Sequence, residues 1–194
     1  MGFYHGAATA APRGPADPRH YTALVSDMTI RRARDDELDD VASLIVDAYA
    51  EYAARMSPDA WSSYANEIAN VRGRMSDAEL YVAESDGQLV GAVTIFSGWR
   101  GAQEGTAGVR LLSVLPDCRG SGVGRALMQA CIDRAREAGK ERLVLTTTQE
   151  MAEMRELTES LGFIREPALD HEPAPGVRNE GYALKIDQAE GAAG

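Results

Sequence analysis

Cysteine is scarce: only Cys118 and Cys131 occur in 194 residues, and neither their number nor their spacing suits a disulfide framework or a zinc site. That scarcity fits a reducing compartment. Long apolar runs are also missing. No stretch of about 18 apolar residues could span a bilayer, and residues 1–27 lack the charged-then-apolar order of a secretory signal. A cytoplasmic protein with no membrane partner is the expectation. Positive charge is in deficit as well, with a net charge of −10 and a sequence pI near 4.8. Such a chain lacks the broad basic surface that phosphate backbones require, so no nucleic-acid partner is expected. A cationic substrate would suit the field, although excess Asp and Glu serve solubility equally well.

What is present is an ordinary globular balance, 44% hydrophobic and 26% charged, in a length suited to one well-buried domain. Residues 1–27, rich in Gly, Ala and Pro (Pro12, Pro15, Pro18), show no periodicity and read as a flexible extension. The domain is expected over 28–187, and 188–194 reads as a frayed tail. No internal repeat is found.

From Met28 the pattern becomes regular. Thr29-Ile30-Arg31 reads as a strand. Asp35 can cap a helix with apolar positions Leu38, Val41, Ile45, Ala48, Tyr49 and Tyr52, and Asp36 and Glu37 suit its positive end. A second helix starts at Ser57-Pro58 and puts Trp61, Tyr64 and Ile68 on one face. Leu80–Ala83 and Leu89–Phe96 form a hairpin through Ser85-Asp86-Gly87-Gln88. A loop with Gly98, Gly101 and Gly105 leads to a strand over Val109–Leu115, stopped by Pro116. A helix opened by Cys118–Gly124 runs to about Ala138, with Val123, Leu127, Ala130, Cys131 and Ala138 on one face and Gly139 at its end. Then follow a strand at Arg142–Thr146, a helix at Gln149–Leu161, a strand from Gly162-Phe163-Ile164 and a last strand at Tyr182–Ile186. The fold class is mixed α/β, in the order β-α-α-β-β-β-α-β-α-β-β.

The segment Arg119-Gly120-Ser121-Gly122-Val123-Gly124-Arg125 lies between a strand and an amphipathic helix, so free backbone N–H groups and the helix dipole converge there. That makes an anion site. The glycines permit close approach and positive φ, and Arg119 and Arg125 add charge. It is not a P-loop, because no Gly-Lys-Ser/Thr follows, and the third small residue of the dinucleotide fingerprint falls on Arg125 or Leu127. On its own, such a turn also serves as a tight connection.

Leu111-Leu112-Ser113-Val114, Pro116, the turn itself and Leu161-Gly162-Phe163 together resemble the GNAT superfamily of N-acetyltransferases. The family's turn is Gln or Arg, any two residues, Gly, any one, then Gly or Ala, which Arg119, Gly122 and Gly124 satisfy. The likeness spans Met28 to about Asp187. It implies a mixed central sheet flanked by helices and, as co-substrate, acetyl-CoA with no metal. The pyrophosphate would lie on the amides from Gly120 through Gly122, Val123 and Gly124 to Arg125, with Arg119 beside them. The pantetheine arm would pair with the strand edge at Leu112 to Val114. The strands at Val109–Leu115 and Arg142–Thr146 would splay to admit the acyl group, and a backbone N–H near Val114 would polarise the thioester.

The reaction so implied is direct attack by the primary amine of a small molecule, amino acid or protein. Such an attack needs a base and an acid. The resemblance fails at both usual side chains: a Glu position aligns with Gly108, and a Tyr position with Thr158. The catalytic residues are therefore unassigned. Thr158 is better read as a helix residue than as a proton relay. Glu104, Asp170, His171 and Tyr182 are alternatives whose commoner fate is surface or core. Cys118, beside a helix start, is read as a small packing residue rather than an acyl-accepting thiolate. The acceptor pocket is expected from Tyr49, Tyr52, Trp61 and Tyr64 and from a cleft-covering loop over Pro167–Asn179 that includes Pro173 and Pro175. Asp170, Glu172 and Glu180 would there attract a cation or simply be solvated. A CoA-binding sensor without turnover is the alternative function, and exposed strand edges are compatible with a homodimer.

Overall fold

The computed structural model describes residues 28–99, 104–174 and 177–187. The expected extension 1–27, the tail 188–194, Gly101 and Pro175 lie outside the described residues.

One sheet organises the chain. Its strands are β1 (Thr29–Arg32), β2 (Ala78–Ser85), β3 (Gln88–Phe96), β4 (Thr106–Val114), β5 (Arg142–Thr148), β6 (Ile164–Arg165), β7 (His171–Ala174) and β8 (Val177–Lys185). The spatial order is β1-β2-β3-β4-β5-β8-β6, with β7 also on β8. Only β4 and β5 pair in parallel. The helices are α1 (Leu38–Tyr49), α2 (Pro58–Ala69), α3 (Val123–Glu137) and α4 (Ala152–Ser160).

The β2–β3 hairpin closes through Asp86 and Gly87, both at positive φ (50° and 72°), the two-residue turn whose twist matches its strands. β2 and β3 are covered on both faces, hence their near-continuous apolar sequence. On one face Leu38, Val41 and Ile45 of α1 and Ile68 of α2 pack on Leu80, Val82 and Ala92. On the other, Val123, Leu127, Met128 and Cys131 of α3 pack on Val93, Val109, Leu143 and Leu145, with Met154 and Leu157 of α4 beside them. Gly91 lets α3 in: a Cβ there would stand 2.8 Å from Val123 Cγ1. Ser57 Oγ accepts from Ala60 N at 3.3 Å and starts α2 ahead of Pro58, as the sequence predicts.

Several expectations are corrected. A 3-10 turn, Asp35–Glu37, precedes α1, and the side chain taking a free amide is Glu37, from Arg34 N at 2.9 Å, rather than Asp35. Its carboxylate is drawn there by Arg31 and is buried. Tyr52 lies in a 3-10 segment, Ala50–Arg55, beyond α1. β4 begins at Thr106, because Thr106 to Gly108 pair in parallel with β5. α3 starts only at Val123, after the turn. Its buried stripe uses Met128, Ile132 and Ala135, whereas Ala138 is exposed and Ala130 half-buried. α4 is confined to Ala152–Ser160. The segment Pro167–Asn179 is no simple loop: it holds a 3-10 turn, Pro167–Leu169, then β7 and the start of β8, adding one strand to the expected order. Asp170 holds this hairpin, accepting from Gly181 N at 3.0 Å and pairing with Arg165 (2.6 Å) and Arg178 (3.0 Å).

Candidate active site

β4 and β5 part midway. Their ladder runs from Thr106↔Arg142 to Val109↔Leu145 and ends there, although both strands continue. The cause lies in β4. Leu111 sits at positive φ (55°), uncommon for a branched side chain, and the register against β3 shifts between Ala92 and Thr94. This bulge re-aims the second half of β4. Leu115 N donates to Val90 O at 3.0 Å, so strand alternation turns the N–H and C=O of Leu112 and Val114 away from β3, into the gap.

The gap-side carbonyls are taken by side chains. Leu112 O accepts from the Tyr49 hydroxyl at 3.4 Å, and Val114 O from Arg119 Nε at 3.3 Å. Ser113 Oγ donates to Leu111 O at 3.1 Å, tying down the bulge.

The turn lies beyond the end of β4. Gly120 and Gly122 adopt φ of 72° and 89°, and Ala126 N is the first amide of the helix to find an acceptor, Gly122 O at 3.0 Å. From Gly120 to Arg125 no backbone N–H has an acceptor among the described residues. Consecutive free amides at the start of a 15-residue helix form a nest for an anion. Gly124 lies where α3 meets α4 and β4: a Cβ there would approach Leu157 Cδ2 to 3.3 Å and Val114 Cγ2 to 3.7 Å.

The two arginines of the turn are tied inward. Arg119 Nη2 donates to Ala48 O at 2.9 Å and Nη1 pairs with Glu51 at 2.7 Å, so with its bond to Val114 O it braces the end of α1 against β4. Arg125 Nη2 donates to Ser160 Oγ at 2.6 Å and links α3 to α4. Neither partnership was legible in the sequence, which showed only that two cations flank the glycines.

Gly108 is buried beneath Trp99. A Cβ on Gly108 would meet Trp99 Cε3 at 2.0 Å, so the indole stands where a side chain from this position would go. Thr158 is fully buried, and its Oγ1 donates to Met154 O at 2.7 Å within its own helix. Asp170 is held by its two arginines and the Gly181 amide, which keep its carboxyl well below the usual range. Tyr182 is a core residue with Arg165 over its ring, and burial raises its pKa. Glu104 and His171 are exposed, the latter beside Leu169 O and Asn179. Glu180 accepts from Gln149 at 2.8 Å. Burial raises the Cys118 thiol, the opposite of what a nucleophile needs.

The four aromatics expected to wall the acceptor side do cluster. Tyr49 lies 5.8 Å from Tyr52 and 6.2 Å from Tyr64, and Trp61 lies 6.1 Å from Tyr64, centroid to centroid. Desolvation pushes the Tyr64 phenol up to about 12 and raises Tyr49 further. Near Tyr64, Arg110 of β4 pairs with Glu67 of α2 at 3.7 Å. A cleft of about 440 Å³ lined by Arg31, Asp40, Leu44, Asp47 and Leu115 lies apart from these groups and contains none of the turn.

Among the described residues no cluster of His, Cys, Asp or Glu could hold a metal ion, and no helix is long and apolar enough to cross a membrane. Comparison with known proteins identifies a relative in sequence and several in fold. The chain is 33% identical over 119 residues to an uncharacterised N-acetyltransferase of Archaeoglobus fulgidus, a match covering 59% of this chain and 78% of that one. YncA of Salmonella typhimurium, solved with acetyl-CoA, shares the fold with a TM-score of 0.61 at 24% identity, over 84% of this chain and 96% of its own. The PaiA N-acetyltransferase of Thermoplasma acidophilum, in complex with coenzyme A, does so with a TM-score of 0.67 at 15% identity, over 82% and 99%. The sequence pattern of the Acetyltransferase (GNAT) family matches residues 40–163, more than half of the chain. With the parted strands and the glycine turn in the places described above, this chain belongs to the GNAT acetyltransferase family.

Proposed function

We propose that this acyltransferase moves an acetyl group from acetyl-CoA to a primary amine of a small molecule, amino acid or peptide by direct attack, within one catalytic domain over residues 28–187. The observation that carries the reading is the run of unpaired amides from Gly120 to Arg125, set beside the gap between β4 and β5. Those amides and the α3 dipole are suited to a pyrophosphate. The N–H groups of Leu112 and Val114, on the gap side, are suited to the amide carbonyls of a pantetheine arm. Bound there, the co-substrate would supply an activated acetyl thioester. The protein would supply orientation, exclusion of water and hydrogen bonds.

Arg119 contributes chiefly by bracing β4, and Arg125 by holding α4 near the turn, with both charges adding to the local field. Tyr52, Trp61, Tyr64 and the Arg110–Glu67 pair line the side from which an amine would approach. Trp99 over Gly108 leaves no carboxylate at that position, so the amine proton would leave through water.

A second reading, a CoA sensor without turnover, is favoured by two features, the covered Gly108 and the committed Thr158. Isothermal titration with acetyl-CoA and CoA, followed by thiol release against a panel of amines, separates the two. Binding with turnover supports the enzyme, binding without turnover supports the sensor, and absence of binding refutes both.

A further inference from the structure

We infer that the Tyr49 hydroxyl is the hydrogen-bond donor to the departing CoA thiolate, doing from α1 what no side chain at Thr158 does. The inference rests on the proposed acetyl transfer and deepens it.

The geometry supplies the argument. With the pyrophosphate on the turn, beyond the C-terminal end of β4, a pantetheine arm laid along the gap runs from Val114 toward Leu112. Its sulfur end therefore comes to the part of the gap where Leu112 O points. Tyr49 is the last residue of α1, and its hydroxyl already reaches Leu112 O. At 3.4 Å that bond is long for an O–H donor, so redirecting the hydroxyl to a sulfur anion sacrifices little. The ring is positioned by contacts with Tyr52 and Tyr64, which keeps the hydroxyl aimed without ordering it anew.

Two other hydroxyls, those of Thr158 and Ser113, are committed elsewhere. Thr158 Oγ1 is buried and donates to Met154 O, and Ser113 Oγ is buried and donates to Leu111 O. Desolvation holds the Tyr49 phenol protonated well above neutral pH, which suits a donor that keeps its proton. In the step itself the amine nitrogen forms a bond to the carbonyl carbon and the C–S bond breaks. The electron pair goes to sulfur, and the proton lost by nitrogen passes to water. Tyr49 donates to the sulfur as its negative charge develops. The sum is amine plus acetyl-CoA giving amide, CoA thiolate and a proton.

The test compares wild type with Tyr49→Phe and Thr158→Val, using acetyl-CoA, CoA and the best amine found. Tyr49→Phe should leave the Kd for acetyl-CoA within about 3-fold and lower kcat by about 10- to 100-fold, while Thr158→Val leaves kcat within about 3-fold. The decisive readout is the ultraviolet absorption of the bound CoA thiolate as a function of pH. Losing a donor to the thiolate should raise the bound thiol pKa by about one unit or more in Tyr49→Phe and leave it unmoved in Thr158→Val. A merely structural tyrosine would not produce that shift. If wild type binds CoA and the thiol pKa is the same in Tyr49→Phe, the inference is overturned while the proposed function stands. If wild type binds neither CoA nor acetyl-CoA, the proposed function falls and takes the inference with it.

Discussion

Trp99 lies directly on Gly108, so close that a Cβ at residue 108 would stand 2.0 Å from Cε3 of the indole. The pair explains why a chain of this family lacks a side chain at that point of β4: the space is already filled by an aromatic ring. Gly108→Glu should therefore fail to install a base. We expect it to destabilise the protein by about 1–3 kcal/mol through overpacking. Adding Trp99→Ala should recover part of that loss, because the two residues are in contact. Urea denaturation of the two single variants and the double variant measures the coupling, and strict additivity would refute the direct contact.

The sequence pattern points to Gly124 as part of the pyrophosphate turn, and its surroundings add a packing role. Gly124→Ala brings a methyl to 3.3 Å from Leu157 Cδ2, a contact that a small side-chain shift relieves. Gly124→Leu meets Leu157, Val114 and Leu112 together. The alanine variant should change stability by less than about 1 kcal/mol, and the leucine variant should cost about 1–3 kcal/mol. In titration calorimetry the leucine variant should weaken acetyl-CoA more than about 10-fold by distorting the free amides. Unchanged affinity would remove the turn from the binding site.

Glu51 holds Arg119 at 2.7 Å, at the start of the turn that carries the free amides. Its carboxylate would compete with a phosphate bound at the turn for the same guanidinium. Glu51→Gln should tighten acetyl-CoA by about 2- to 5-fold at low salt, with the gain shrinking as salt is added. Arg119→Lys should not restore what Arg119→Ala loses, since one ammonium cannot reach Ala48 O, Val114 O and Glu51 in the same geometry. Binding titrations at two ionic strengths decide both points.

Glu79 joins β2 to α3 by accepting from Arg134 at 2.6 and 2.8 Å, with Arg32 as a second partner. Arg134 chiefly, and Arg32 with it, lowers its carboxyl to about 2 from an ordinary value of 4.5. A depressed carboxylate stabilises the fold above its ordinary pKa and loses that contribution as pH falls toward the folded value. Partial solvation reduces the net effect, so Glu79→Gln should cost about 1–2 kcal/mol at pH 7. The gap between variant and wild type should close between about pH 4.5 and pH 2. Thermal unfolding against pH checks it, and a gap independent of pH would exclude the ionic origin.

The order of elements was legible because it depends on local patterns. Asp86-Gly87 can adopt two positive φ angles, Ser57-Pro58 can start a helix, and the three- and four-residue spacing of α3 can face only one way into a core. The glycine turn was legible for the same reason, since Gly120 and Gly122 permit the backbone on which the free amides depend. β7 was missed because a hairpin built on His171, Glu172 and an Asp170 clamp has no apolar alternation to announce it.

By itself, then, the sequence determined the family, the elements other than β7, and the glycine turn, which rest on patterns among near neighbours in the chain. Tertiary structure alone decided the rest. It put Trp99 over Gly108, buried Thr158 on its own helix, turned Arg119 into a brace for Ala48 and Val114, and brought Tyr49 to the carbonyl of Leu112. These are contacts between residues distant in sequence or directions of side chains in a packed interior. They arise from how helices seat on a sheet, which neither spacing nor composition encodes locally.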